Sequence, residues 1–219
     1  DGANVKQITT SAKSEFNPIW LNDGTIAFAR GTENGAQIFA IGIDGKNEKQ
    51  LSNIDGGIEG FMLSPDQSKV VYAATSAKRK PADIEKLYEG LSSATGRINE
   101  DLMYRHWDEW VDAIPHIYLA DFNNSKIEKG VDILEGEPFE CPMRPWGGLE
   151  QVAFSPDGKT IAYTCRKKVG KEYALSTNSD IYLYNIADKT VQNISQGIMG
   201  YDQNPVFSNN GKYIVWESM

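Results

Sequence analysis

The densest group of side chains that could bind a ligand lies between residues 104 and 112, where aromatic and acidic residues are interleaved. Asp108 and Glu109 are adjacent, and Trp107 and Trp110 flank them. A carboxylate holds a cationic group such as a peptide α-amine through a charge-assisted hydrogen bond, and indole rings cover apolar parts of the same ligand. These four residues are therefore a candidate site for the amino end of a peptide. The alternative is a solvated acidic surface.

A second candidate lies in the proline-rich loop of residues 137–148, which holds three prolines and two aromatic residues. Arg144 could contact a ligand carbonyl and Trp146 an apolar side chain. Rigid packing of the loop is the competing explanation. Both interpretations stay open at the level of sequence.

Motifs for catalysis and metal binding are missing. A serine hydrolase elbow reads Gly-x-Ser-x-Gly, and the nearest string, residues 90–94, ends in Ala94. His106 and His116 are the two histidines, and no His-x-x-x-His or Cys-x-x-Cys spacing occurs. We expect no catalytic residue, metal or cofactor in this chain. Cys141 and Cys165 form one disulfide or stay reduced, and the sequence does not decide between these states.

Composition narrows the class of protein and the partners it can take. The 219 residues include 30 acidic and 22 basic side chains, so the formal charge is −8. No apolar run approaches the roughly 18 residues of a membrane-spanning helix. Nucleic acid is not an expected partner, because phosphate binding draws on clustered Lys and Arg. We expect a soluble, globular chain.

The elements that carry these candidates are organised by a repeat. An apolar run, a turn such as Ser-Pro-Asp-Gly and a second apolar run occur four times, at residues 18–28, 61–72, 152–163 and 205–216. Proline presets φ, and Asp or Asn followed by Gly accepts the backbone of a tight turn. Each copy therefore predicts a β-hairpin.

A second repeat follows the first and completes a unit of four strands. Its copies are residues 37–45, 116–124 and 180–188, followed by short outer strands at 49–52 and 192–195 and a weaker one at 129–133. Four antiparallel strands form the blade of a β-propeller. The turn residues Asp23 and Asp66 are 43 positions apart, which is a typical blade length.

The sequence therefore predicts an all-β propeller of about three and a half blades. The predicted blades are residues 16–52, 59–133 and 150–195, with a partial blade at 203–219 and a strand of a neighbouring blade at 3–10. We expect a single propeller domain cut from a longer protein, because an open arc leaves blade edges bare. The alternative is a four-bladed ring that Val5–Thr9 completes.

An insertion at about 77–114 interrupts the second blade. Apolar residues at 84, 87, 88 and 91 have helical spacing, and a second set at 103, 107, 110, 111 and 114 continues it up to Pro115. The insertion is therefore predicted to be a helical hairpin. His106 is predicted to lie on its aromatic-rich second helix.

The repeat of residues 154–163, Phe-Ser-Pro-Asp-Gly-Lys-Thr-Ile-Ala-Tyr, resembles the WD-like repeat of TolB and of the N-terminal propellers of prolyl oligopeptidase family serine peptidases. The insertion strings at 86–91, 95–97 and 101–112 are similar to propellers of the dipeptidyl peptidase V and acylaminoacyl peptidase type. Asp108-Glu109 is the nearest match to the adjacent glutamates that hold the α-amine in related enzymes.

This resemblance implies a function for the chain. The propeller would gate access to a C-terminal α/β-hydrolase domain, beyond Met219, and would help to recognise the substrate N-terminus. It also implies a periplasmic or secreted location, a peptide substrate and a homodimer as one possible state. Two alternatives stay open: a stand-alone TolB-like propeller that binds a protein partner in the cell envelope, and a scaffold that dimerises through Trp107 and Trp110.

Overall fold

A computed structural model describes residues 2–78, 82–123, 126–197 and 199–219. The strands are β1 (Glu15–Trp20), β2 (Ile26–Thr32), β3 (Gly35–Ile41), β4 (Lys49–Gln50), β5 (Gly60–Leu63), β6 (Lys69–Lys78), β7 (Arg105–His106), β8 (Glu109–Trp110), β9 (Ala113–Asp121), β10 (Val131–Asp132), β11 (Val152–Phe154), β12 (Thr160–Cys165), β13 (Asp180–Asn185), β14 (Val191–Asn193), β15 (Gln203–Phe207) and β16 (Ile214–Glu217). The helices are α1 (Ile84–Leu87) and α2 (Gly170–Leu175), with a 3-10 turn at Leu149–Gln151.

Within the described residues, the strands form three four-stranded sheets and two two-stranded ones, which confirms the all-β class. The larger sheets have the orders β1-β2-β3-β4, β10-β9-β6-β5 and β11-β12-β13-β14, and β15 pairs with β16. Neighbouring strands of the first and third sheets pair antiparallel, as do β5 with β6, β9 with β10 and β15 with β16. Each larger sheet thus contains one copy of both repeats. The number of blades, and the closure of the sheets into a ring, stay predictions.

The Ser-x-Asp turns explain why the repeat keeps these residue types. The Ser64 hydroxyl donates to Asp66 at 2.6 Å and accepts from the Lys69 amide at 2.9 Å. Ser155 makes the same pair of bonds to Asp157 and Thr160, at 2.7 and 2.9 Å. One hydroxyl thus closes each turn in both directions. The hydrogen bond from Ser64, with bonds from Ser68, lowers the pKa of Asp66 to about 2.

In the first and third sheets, a buried serine just after the outer strand, Ser52 or Ser195, ties that strand to its neighbour, β3 or β13. The Ser52 hydroxyl donates to Gln37 at 2.8 Å and accepts from the Ile38 amide at 2.8 Å. In the third sheet, Ser195 accepts from the Ile181 amide at 3.0 Å and lies 3.5 Å from Asp180. The second repeat therefore encodes a cross-link as well as a strand.

Two compact units make up the chain, the first up to Ala74 with Ile117–Ile133 and the second Thr75–His116 with Leu134–Met219. In the first unit, Ile38, Leu51 and Phe61 are completely or almost completely buried, and Tyr72 stacks on Tyr118 with ring centroids 5.3 Å apart. In the second, an equivalent stack joins Tyr163 and Tyr182 at 5.4 Å. Stacked rings on the second and third strands are thus a feature of both units.

The prediction of a helical hairpin in the insertion is wrong. Its first part has a single helical turn, α1, and its second part forms the short hairpin β7-β8. Residues 79–81 lie outside the described part of the chain. Aromatic residues favour strands when they pair across them, and here Trp110 pairs with Arg105 in the hairpin register. The helical spacing at 84 and 87 thus corresponds to the single turn α1, whereas the spaced residues at 103–114 form no helix.

The segment Val5–Thr9 is not in a strand. Ile8 instead packs against the cluster of Phe28, Phe39 and Ile41 in the first unit. Its assignment to a neighbouring blade stays a prediction. Among the described residues, no helix is long and apolar enough to cross a membrane.

Candidate functional site

The hairpin β7-β8 carries four of the predicted site residues at its turn and on its second strand. Arg105 pairs with Trp110 and His106 with Glu109, so Trp107 and Asp108 form the turn between the strands. Trp107 has a φ of 51°, in the left-handed region that residues other than glycine rarely adopt. The Arg105 side chain donates to the Asp108 carbonyl at 2.8 Å. The turn is thus closed by its own side chains.

Trp110 is held between two guanidinium groups. The Arg97 carbon Cζ lies 4.2 Å from the ring centroid and that of Arg105 lies 4.8 Å away. Arg97 also makes a bidentate pair with Asp112, at 3.0 and 2.5 Å. Cation–π contacts thus engage Trp110, and an ion pair with Asp112 holds Arg97. The Trp110 ring thus already takes part in packing, and its role in ligand binding stays a prediction.

Trp107 and Trp146 come together although they are far apart in the sequence. Their ring centroids are 5.9 Å apart at an interplanar angle of 64°, and the two residues are 80% and 77% exposed. Edge-to-face geometry is favourable for aromatic pairs. The structure therefore joins the two sequence candidates, the hairpin turn and the proline-rich loop, in one exposed aromatic pair.

The carboxylates of Asp108 and Glu109 are both exposed beside this pair. No other residue in the described ranges bonds to or pairs with either carboxylate. Asp112, by contrast, is neutralised by Arg97. Of the acidic residues at 108, 109 and 112, the first two are therefore available to a cationic ligand.

A cleft of about 300 Å³ opens next to the hairpin. Its lining residues are Ala82, Arg97, Ile98, Asn99, Glu100, Asp101, Met103, Tyr104, Val111 and Asp112. The lining is mixed in polarity and includes the carboxylates of Glu100 and Asp101. This composition suits a polar ligand better than a purely apolar one.

A buried network that sequence reasoning missed lies beneath the hairpin. The His106 Nε2 is 3.2 Å from Glu140 Oε2, and the Tyr173 hydroxyl donates to the same oxygen at 2.8 Å. Glu140 and Tyr173 are only 5% and 8% exposed. Burial, with the nearby Glu140 charge, raises the pKa of Tyr173. No spacing rule points to this network, since Glu140 lies 34 positions from His106 and 33 from Tyr173.

Two hydrogen bonds hold the backbone of the proline-rich loop at Met143. The Gln151 side chain accepts from the Met143 amide, and the Gly147 amide donates to the Met143 carbonyl, both at 2.8 Å. Arg144 is half-buried, and its carbonyl accepts from Tyr173 at 3.4 Å. Rigid packing of the loop, the competing explanation, thus has direct support, and the role of Arg144 in binding a ligand stays a prediction.

Cys141 and Cys165 are buried and no disulfide joins them. Their thiols donate to carbonyls of each other's neighbours, Cys141 to Thr164 at 3.5 Å and Cys165 to Glu140 at 3.6 Å. Burial raises the pKa of the Cys165 thiol and so disfavours the reactive thiolate. The two cysteines contribute packing in this structure.

Comparison with known proteins gives clear relatives. No family model matches the chain. The chain is 49% identical over 220 residues to dipeptidyl-peptidase 5 of Porphyromonas gingivalis and 42% identical over 225 residues to dipeptidyl-peptidase 5 of Porphyromonas endodontalis. Both alignments cover 100% of this chain and 32% of the relative. The chain therefore spans about a third of the length of these curated relatives.

Solved structures share the fold at low sequence identity. An acylaminoacyl peptidase aligns with a TM-score of 0.56 and 13% identity, over 92% of this chain and 28% of that one. A TolB-type protein of Agrobacterium tumefaciens aligns with a TM-score of 0.52 and 16% identity, over 96% of this chain and 56% of that one. The likeness supports a common architecture of repeated antiparallel sheets.

Proposed function

The chain is homologous over its full length to a portion of dipeptidyl-peptidase 5 proteins, and we propose on this premise that it is the propeller portion of a serine peptidase that removes dipeptides from peptide N-termini. The interleaved repeats and the three four-stranded sheets support the propeller. The catalytic Ser, Asp and His lie outside this chain in the proposal. The location outside the cytoplasm and the homodimer remain parts of the same proposal.

In this function, the exposed turn of β7-β8 binds the free amino end of the substrate. The observation that carries the proposal is the Glu109 carboxylate, which is exposed and makes no bond within the described residues. A protonated α-amine is the complementary group, and a charge-assisted hydrogen bond to it is stronger than a neutral one. Asp108 is the second carboxylate in reach of the same turn.

The aromatic pair supplies the apolar part of the site. Trp107 and Trp146 expose most of their surfaces, and a peptide side chain that covers them would remove apolar area from water. In the proposal, Arg144, which lies on the same loop as Trp146, meets a peptide carbonyl. The site thus matches a peptide by one charge, one apolar contact and one carbonyl contact.

Replacement of Glu109 by Gln in the full-length protein tests this role. Loss of the carboxylate removes the partner of the α-amine, so kcat/KM for dipeptidyl nitroanilides with a free N-terminus should fall by about 10- to 100-fold. Hydrolysis of an N-acetylated substrate should change less than threefold. Glu33→Gln, at an exposed position of the first unit, is the matched control. An equal loss on free and blocked substrates would remove Glu109 from the proposed role.

The alternative of a stand-alone TolB-like binding module has less support. The TolB likeness rests on 16% identity and reports fold alone, whereas the peptidase relatives match the entire chain at 49% and 42% identity. Those relatives include the insertion that carries the candidate site. The peptidase is therefore the function that we propose.

A further inference from the structure

The buried network of Glu140, His106 and Tyr173 joins three segments of the second unit. His106 belongs to β7, Glu140 to the proline-rich loop and Tyr173 to α2. The two side-chain contacts meet at Glu140, at 3.2 Å from His106 and 2.8 Å from Tyr173. The His106 and Tyr173 rings also lie 5.7 Å apart. One carboxylate is thus the common point of the three segments.

The hairpin depends on such anchors because its own strands are very short. Each of β7 and β8 has two residues, and an isolated two-stranded hairpin is at best marginally stable in water. Arg97 packs on Trp110 at the base of the hairpin, while His106 connects its first strand to the loop. Removal of the second anchor should leave the hairpin formed but free to move.

Burial makes this network sensitive to the loss of a single member. The His106 and Glu140 side chains are only 9% and 5% exposed. A carboxylate that is buried without hydrogen-bond donors is costly, so it retains its partners with strong preference. The network therefore defines one position of β7 relative to the loop.

The network is adjacent in sequence to the exposed groups of the proposed peptide site. Trp107 follows His106 directly, and Glu109 is the cross-strand partner of His106. On the loop, Trp146 lies six positions after Glu140. Any shift of His106 relative to Glu140 would separate Trp107 from Trp146.

We propose that Glu140, acting through His106 and Tyr173, is the positioning residue that holds the Trp107–Glu109 turn in place to receive the substrate N-terminus. This inference rests on the proposed function, in which the turn binds the substrate N-terminus. The contacts that position the turn are those of Glu140 with His106 and Tyr173. In this proposal the network acts on substrate binding and leaves the chemical step unchanged.

Tyr173→Phe in the full-length protein is the primary test, because it removes one hydroxyl and keeps the ring. Tyr182→Phe is the matched control, a buried tyrosine of the same unit whose hydroxyl lies 3.4 Å from Asp180. Glu140→Gln is the stronger variant, and Tyr173→Phe keeps the test valid if Glu140→Gln fails to fold. Hydrogen exchange of the Val111 amide, which donates to the Tyr104 carbonyl, reports on the hairpin.

We expect Tyr173→Phe to speed exchange of the Val111 amide by about 10-fold and to raise KM for free N-terminal substrates by about 3- to 10-fold, as the loss of one buried hydrogen bond allows. The kcat of Tyr173→Phe should equal that of the wild type. The control Tyr182→Phe should match the wild type in hydrogen exchange, KM and kcat. Unchanged exchange of the hairpin in both Tyr173→Phe and Glu140→Gln would overturn the inference. Faster exchange with an unchanged KM would support the positioning and would contradict the proposed role of the turn in substrate binding.

Discussion

At the residue scale, Ser64 bonds to residues close to it in the sequence, whereas the Glu140 carboxylate contacts residues far from it. The Ser-Pro-Asp turns were predictable because all their bonds join residues within five positions of one another, such as Ser64 to Asp66 and to Lys69. The carboxylate contacts of Glu140 were not predictable, because His106 and Tyr173 lie more than 30 positions away and no local pattern marks them. Local chemistry can be read from residue types, whereas the partner of a buried charge requires the fold.

The turn aspartates make stability depend on pH at the residue scale. The pKa of Asp66 in the folded protein is about 2, below its ordinary value, so its contribution is complete above about pH 4 and is lost as pH falls towards 2. Asp66→Asn should therefore flatten the acid side of the stability profile.

Urea titrations of the protein at pH 7 and pH 3 measure this effect. The drop in midpoint between the two pH values should be smaller in Asp66→Asn than in wild type. Asp55→Asn, at an exposed turn of the same unit, is the control. The same drop in wild type and Asp66→Asn would show that the turn bonds do not set the acid sensitivity.

At the scale of elements, strand repeats were read correctly and the insertion was not. The apolar runs of β11, β12 and β13 lie within the predicted repeats, because turn residues and β-branched or aromatic runs point the same way. In the insertion, apolar residues recur every three or four positions, but Trp110, one of them, packs on charged side chains. Arg97 and Arg105 pack on Trp110, and a helical pattern of apolar residues does not reveal such contacts.

The Arg97–Trp110 contact predicts a measurable coupling in the hairpin. In a double-mutant cycle of Arg97→Ala and Trp110→Ala, we expect a coupling free energy of about 0.5–2 kcal/mol, because the guanidinium lies on the ring and is partly screened from water. Urea unfolding of the four proteins measures it. Arg97→Lys should recover little of the loss, since an ammonium cannot stack as a plane. Additive effects of the two substitutions would show that the contact contributes nothing to stability.

At the scale of the whole molecule, the all-β chain matches about a third of the length of its dipeptidyl-peptidase 5 relatives. The sequence predicted the repeated sheets and the kind of relative. It did not predict the exposed Trp107–Trp146 pair, because that contact depends on two segments meeting in the second unit. In the proposed function, the catalytic groups lie outside this chain.

The most direct measurement of the central claim is mass spectrometry of the products that the full-length protein releases from one peptide, supplied with a free or an acetylated N-terminus. We predict successive release of dipeptides from the free peptide, blocked by a serine-directed inhibitor, and cleavage of the acetylated peptide that is at least about 10-fold slower. The 219-residue chain alone should release nothing. Internal cleavage, equal digestion of both peptides or no cleavage by the full-length protein would contradict the account.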